Sequence, residues 1–432
     1  MKQNTLKTLF GLLWISQVVV QAQIPKAESG SFALINATIE TVTNGTIENG
    51  TVLIADDGII TEVGTTITIP SEVKTIDCSG LTIYPGMIDA GSQIGLVEVG
   101  SDPRTRDNNE IGDVIPHVQA LTAVNPGSVV IPVTRISGVT TALTMPSGGL
   151  FPGTAALINL HGYTPDQMYA GFKGIVLNFP ATGRRGRWDR RSDEDIKKAA
   201  EKDLKQLNEV WDKAVQYHKI DSVSKTNNQS YYPEMEALLP IVRGEMKLLI
   251  NVNAANDIKS ALKWIEGKGI DVILCGVIEG WRVAEEIAEA GIPVITGPIL
   301  TNPTRSYDRY DRPYANAGLM QKAGVKVSIR TNEIENVRNL PYHAGFAAAY
   351  GLGKEEALKA ITIAPAEILG IENKYGSIEK GKVANLCVTD GDLFETKTQV
   401  KYVFVKGWNI PMVSRHTQLY EEYLNRSPGI KK

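Results

Sequence analysis

At 432 residues the chain is long enough for one large domain and a smaller companion. Its formal net charge of -3 excludes a general nucleic-acid binder, which would be strongly basic. A hydrophobic share of 43% beside a charged share of 22% is that of an ordinary soluble globular protein, and the 40 glycines suit a fold with many tight strand-to-helix turns.

The chain opens with Lys2 and Lys7, then an apolar run over residues 9–20 broken only by Gly11, Ser16 and Gln17. Small residues at Val20 and Ala22 follow, so residues 1–22 read as a signal peptide cleaved before Gln23. The run is shorter than the roughly 20 residues a membrane span needs, and no later stretch is long and apolar enough. A retained anchor is the competing reading; export to the periplasm or the medium, with no membrane span in the mature chain, is the expectation.

Residues 32–37, 51–55, 59–63 and 74–77 are rich in β-branched and apolar residues, with Asn44-Gly45, Asn49-Gly50 and Asp57-Gly58 as turns between them. Residues 384–389 and 400–405 repeat the pattern near the other end. Two strand-rich ends around a different middle predict one β-sandwich domain from residues 24–82 and 376–411, with 412–432 as a tail. The middle, 83–375, alternates candidate strands (131–144, 155–160, 174–177, 247–252, 272–274, 292–296, 325–329) with helical periodicity at 255–267, 281–290 and 313–323. Strand–helix–strand repetition indicates a parallel sheet with helical crossovers, and alone does not separate a closed barrel from an open sheet.

Residues 183–235 stand apart as an inserted charged helical segment. Five arginines fall within 183–191, and Ser192 with Asp195 forms a capping box ahead of Ile196, Ala200, Leu204, Leu207, Trp211 and Ala214 at helical spacing. A phosphate- or partner-binding patch is one reading of the arginines; a solvated loop is favoured, because charge runs usually face water. Cys78, Cys275 and Cys387 each sit in or beside an apolar strand-like stretch, which favours buried free thiols over one disulfide plus a leftover thiol.

The stretch LTIYPGMIDAGSQIG (81–95) resembles the signature by which the amidohydrolase superfamily runs from its sheet domain into the first barrel strand. GSIEKGKVANL (376–386) is similar to the family's return motif, and ALKAITIAPAEILG (357–370) to the helix before it. Together they frame residues 30–410 and point to the imidazolonepropionase-like branch and its exported bacterial subgroup. The resemblance implies a (β/α)8 TIM-like barrel, hydrolysis of C–N bonds other than peptide bonds, and zinc at the C-terminal ends of the strands, where it lowers the pKa of a bound water.

The ligand positions implied by that resemblance carry other residues. The His-x-His pair, whose members point the same way from one strand, is replaced by Gly91 and Gln93. Asn251 stands at the expected fifth-strand histidine, and the sixth strand ends at Cys275-Gly276. Thr331, Asn332 or Glu333 takes the place of the aspartate that orients the attacking water, and of these only Glu333 is competent as a base. His117, His161, His218, His343 and His416 show no ligand spacing and read as solvated or structurally satisfied. Lys173 lies too far from its strand's C-terminal end to be the family's bridging lysine. Glu98, Asp102, Asp107, Glu110 and Asp113 form an acidic loop that would suit calcium or magnesium or simply face water, the latter being favoured; Asp89 belongs to the motif and reads as structural.

No cofactor is therefore expected, although the family would use zinc. Two functional readings remain. One is a hydrolase with a rearranged site using Glu333 and the loop carboxylates. The other, favoured on chemistry, is a non-catalytic barrel that binds a small molecule or associates with a copy of itself or a histidine-bearing paralogue. N-terminal sequencing of the native exported protein should start near Gln23; an intact Met1 would contradict the leader assignment.

Overall fold

The computed structural model describes residues 26–183, 189–223 and 230–426. The expected leader and its cleavage site, Arg184, Arg185 and Arg187 of the arginine run, and the last residues of the expected tail lie outside the described residues.

Two sheets organise the chain. The first takes strands from both ends: β1 (Phe32–Glu40), β2 (Thr46–Ile54), β3 (Ile60–Gly64), β4 (Lys74–Asp77) and β5 (Thr82–Pro85). Across the second sheet in sequence lie β6 (Met87–Ser92), β7 (Val139–Thr144), β8 (Gly153–Asn159), β9 (Tyr169–Asn178), β10 (Lys247–Val252), β11 (Val272–Gly276), β12 (Val294–Thr296) and β13 (Val327–Ile329). The chain then returns to the first sheet through β14 (Leu386–Thr389), β15 (Val400–Val405) and β16 (Trp408–Ile410).

The first sheet has the order β16-β15-β14-β5-β1-β2-β3, with β4 also paired to β1. It is one continuous hydrogen-bonded sheet, whose β3 end folds back to meet the segment before β14 through the Ile59–Val383 bridge. The chain ends meet between β5 and β14, antiparallel, with Leu386 opposite Pro85 and Thr389 opposite Thr82. Inward side chains at alternate positions, among them Phe32, Leu34, Ile39, Ile54, Ile83, Leu386 and Phe404, form its core. The rings of Phe32 and Phe404 meet edge-on at 5.4 Å and so join the two ends through side chains as well as backbone.

The second sheet keeps sequence order from β6 to β13. Its strands are buried almost throughout, as expected of a sheet covered on both faces. All neighbours are parallel except β8, which runs antiparallel to both β7 and β9. That departs from eight parallel strands, and the reason is the connection. Residues 145–152 are too few for the dozen or so that a helical crossover requires, and they turn at Gly148-Gly149, both with positive φ. The expected strand 131–144 also divides, into a helix Val130–Arg135 and then β7, because Gly138 (φ 90°) breaks the run.

Helices Ala255–Ile265, Ala284–Glu289 and Arg312–Lys322 make the crossovers from β10 to β13, close to their expected positions. Ser192 caps the helix Asp193–Val223 by accepting from the Asp195 N–H (3.0 Å) and donating to its carboxylate (2.6 Å). Trp211 of that helix meets Trp264 edge-on at 5.7 Å, and the Trp264 indole donates to Asn208 (3.1 Å), so the segment packs on the crossover from β10 to β11.

The edge strands β6 and β13 come together beyond their C-terminal ends. Asn332 N–H donates to the Gly91 carbonyl (2.9 Å), and Gln93 N–H donates to the Glu333 carbonyl (3.0 Å), which curls the sheet nearly into a barrel. Cys78, Cys275 and Cys387 are free and buried. No helix among the described residues is long and apolar enough to cross a membrane.

Ending the chain after Ile371 removes β14 to β16, uncovers the edge of β5 and exposes Phe32, Leu34 and Ile83. The truncated chain should be insoluble or lack a cooperative unfolding transition. A soluble, cooperatively folding product would show that the two ends do not depend on each other.

Candidate active site at the carboxyl ends of the strands

The apolar strands of the second sheet end in a set of polar residues. Asp89 on β6 is 0% exposed. Its carboxylate accepts from the N–H of Gly91 (3.0 Å), the N–H of Thr331 (3.1 Å) and the Thr331 hydroxyl. Burial pushes its pKa up to about 6, against the pull of those bonds and of nearby Arg330. Asp89 is thus consumed in the seam between β6 and the segment after β13, as the motif implied.

The positions assigned to metal ligands gather around this seam. Gln93, half-buried, accepts from the Asn108 amide at 2.8 Å, and Asn108 also donates to Ser147 (3.0 Å). Asn251, at the end of β10, donates to the side chain of Asn178 (2.9 Å), which donates in turn to the carbonyls of Gly148 and Gly149, each at 2.9 Å. Gly276 ends β11 with φ 90°, and the next residue, Val277, also lies in the left-handed region at φ 49°. A β-branched residue there is strained by roughly 1–2 kcal/mol. It is held by its N–H to the Val252 carbonyl (2.7 Å) and by the Asn316 amide to its own carbonyl (2.8 Å).

Arg330, directly after β13, was not among the expected site residues. Its side chain reaches into the middle of this set and is only 5% exposed. Nη1 donates to Asn251 Oδ1 at 3.1 Å and touches Met145 Sδ at 3.7 Å. A Cβ on Gly91 would lie 2.8 Å from Arg330 Cδ and 3.0 Å from Met145 Sδ, and a Cβ on Gly276 would lie 3.2 Å from Nη2. The two glycines therefore bound the space that the guanidinium fills. Nε is buried without a partner, and no carboxylate forms an ion pair with Arg330 among the described residues. Burial lowers its pKa from the usual value, with Cys275 and Asp89 opposing. Cys275, equally enclosed, has its thiol pushed up to about 11 by burial and stays neutral.

Glu333 is half-buried, and its carboxylate has no hydrogen-bond or ion-pair partner among the described residues; only its backbone is engaged, the carbonyl accepting from Gln93 N–H and the N–H donating to Thr331 Oγ1 (3.4 Å). Of the histidines, His343 is buried and accepts from the Ile299 N–H at 3.1 Å; burial lowers its pKa to about 4, so it is neutral and structural. His161 packs against Trp408 with its pKa lowered to about 4, first by burial and then by Arg135 and Lys406. His117 and His416 are exposed, and His218 lies on the long helix. Lys173 falls in mid-strand on β9, where it donates to Gln119 (2.7 Å). In the acidic loop, Asp102 pairs with Arg104, Glu98 accepts from Asn125 and Asp113 accepts from the Leu150 N–H. Asp107 and Glu110 are exposed. Among the described residues no three His, Cys, Asp or Glu side chains are grouped to hold a metal ion.

A second polar cluster flanks the set. Glu279 receives two bonds from Arg305, both 2.7 Å, one from Thr304 (2.6 Å) and one from the Ala255 N–H (3.0 Å). Burial acts to raise its pKa, but these donors hold it below the usual carboxylate value. The pair ties the loop after β12 to the end of β11. A cavity of about 560 Å³ lies elsewhere, beside Tyr84, Lys354 and Asp392, and includes no strand C-terminus of the second sheet.

Gly91 has no positive φ, so Gly91→Ala tests the space alone. It should cost about 1–3 kcal/mol of unfolding free energy, and most of that cost should vanish in an Arg330→Ala background. Equal costs in both backgrounds, measured by denaturant titration, would show that the guanidinium does not set the residue at 91.

The Amidohydrolase family model matches residues 133–409. The chain is 21% identical over 389 residues to the amidohydrolase tasK of Hapsidospora irregularis, which covers 82% of this chain, while the chain spans only 39% of that relative. An amidohydrolase from Thermotoga maritima MSB8 superposes with a TM-score of 0.78 at 25% identity, covering 89% of this chain and all of its own. An adenosine deaminase from Xanthomonas campestris with bound zinc shares the fold, at TM-score 0.53 and 15% identity, over 92% of this chain and 98% of its own. On the extent of the family match and the order of its strands, this chain belongs to the amidohydrolase family.

Proposed function

We propose that this chain is an exported amidohydrolase-family barrel without zinc-dependent hydrolysis, working as a ligand-binding module or as the partner of a related barrel. The observation that carries the reading is the position of Arg330. A catalytic zinc needs about three protein donors, usually imidazole or carboxylate. The assigned positions offer two glycines and two neutral amides. A guanidinium already donates to one of those amides, and Cβ atoms at both glycines would press on it. A cation beside the metal position opposes a second cation, so this donor set does not fit zinc, and no hydrolytic step is derived through it.

Hydrolysis with Glu333 as base gains no support from its surroundings. A general base is oriented and tuned by neighbours, and the Glu333 side chain has no hydrogen-bond or ion-pair partner among the described residues. The (β/α)8 ancestry remains the best description of the second sheet, with β8 as its reversed member. Association with a histidine-bearing paralogue is the partner reading that the loss of ligands favours.

Elemental analysis of the purified, dialysed protein should find zinc far below one equivalent, and amide, ester and lactam panels should show no zinc-stimulated turnover. Stoichiometric zinc, lost together with hydrolysis in Glu333→Ala, would overturn the proposal.

A further inference from the structure

We propose that Arg330 anchors a binding site for a small molecule bearing a single carboxylate, at the end of the barrel where relatives carry metal; this rests on the metal-free reading above. A guanidinium has five N–H donors, and here Nη1 alone finds acceptors, Asn251 Oδ1 and Met145 Sδ. Nε is buried without a partner, and Nη2 makes no hydrogen bond to a described residue. Asp89 offsets the charge through space but bonds none of these N–H groups, and a buried guanidinium short of acceptors is costly unless something completes it.

The protein's own anions do not complete it. Asp89, the acidic neighbour within the site, has its oxygens taken by Thr331 and Gly91. Glu279, beyond Gly276, is held by Arg305. The other side chains at the strand ends are the amides of Gln93, Asn251 and Asn253, which are neutral and donate or accept as required, and the carboxylate of Glu333, three residues beyond Arg330. With negative charge already present in Asp89 and Glu333, the guanidinium has room to balance one further negative charge at most, which favours a monocarboxylate over a phosphate dianion. The planar fork of arginine matches a carboxylate in two-point contact. The place is also where barrels of this class hold their ligands.

The test is thermal unfolding of the full chain in sodium acetate or propionate, compared with sodium chloride at equal ionic strength, with acetamide as the neutral isostere and with inorganic phosphate. The carboxylates should raise Tm saturably by a few degrees, acetamide should not, and phosphate should be weaker. Arg330→Gln should abolish the carboxylate shift. Asn251→Asp, which places a carboxylate on Nη1 from within the protein, should fold and also lose the response, and it decides the matter if Arg330→Gln does not fold. A carboxylate shift retained in either folded variant, or absent from the wild type, overturns the inference. Zinc is measured on the same samples. Zinc-free protein without a carboxylate response sinks this inference alone, whereas stoichiometric zinc sinks the metal-free reading on which it stands.

Discussion

A charged side chain buried at the axis of a barrel needs both room and polar company. At the carboxyl ends of these strands the room exists because Gly91 and Gly276 carry no side chain: a Cβ at either position would come within about 3 Å of Arg330 atoms. Company comes from Asn251, itself held by Asn178, which is fastened to the carbonyls of the Gly148-Gly149 turn. The residues that look like losses when read against the family are therefore mutually consistent. A Cβ at 91 would lie 2.8 Å from Arg330 Cδ, so a histidine there would require the arginine side chain to move.

The rest of the scaffold holds that arrangement in place. Asp89 cross-links the sheet's two edges through Thr331, and the two backbone bonds from Asn332 to Gly91 and from Gln93 to Glu333 continue the seam. The Glu279–Arg305 pair fixes the loop beside Gly276. The reversed strand β8 brings the tight 145–152 turn over the strand ends, which puts Met145 against the guanidinium and Gly148 within reach of Asn178. A helical crossover in that place would put neither contact there. The strand ends of this fold here enclose a fixed organic cation, and fold alone does not decide the chemistry.

Much of the fold was legible in the sequence because its signals are local. The glycine-containing turns, the apolar strand runs and the PGMID and GSIEKGKVANL motifs state where strands begin and where the chain ends meet. Two features were hidden. Strand direction at β8 depends on the length of a loop whose composition resembles any other, and the apolar run 131–144 concealed a helix of one and a half turns before Gly138. At the site, Gly91, Gln93, Asn251 and Gly276 could be singled out, since a motif fixes register, and they do lie together at the strand ends. Arg330 carries no such register signal, because the family motif puts its expected aspartate on one of the three residues after it. Its signal was present nonetheless: an arginine directly after the alternating strand pattern of 325–329, at the end where active-site residues gather in such barrels. The Asn251–Asn178 and Glu279–Arg305 contacts join residues distant in sequence, and no pattern along the chain announces them.

The account stands on the guanidinium of Arg330 filling the place where relatives hold a metal. Diffraction above and below the zinc absorption edge, from crystals grown with excess zinc, addresses that place directly. The account predicts ordered side-chain density from Arg330 to Asn251, lying between Gly91 and Gly276, with no anomalous peak there. A zinc peak at that position, with Arg330 swung out toward solvent and Gln93 or Glu333 drawn in as donors, would contradict it.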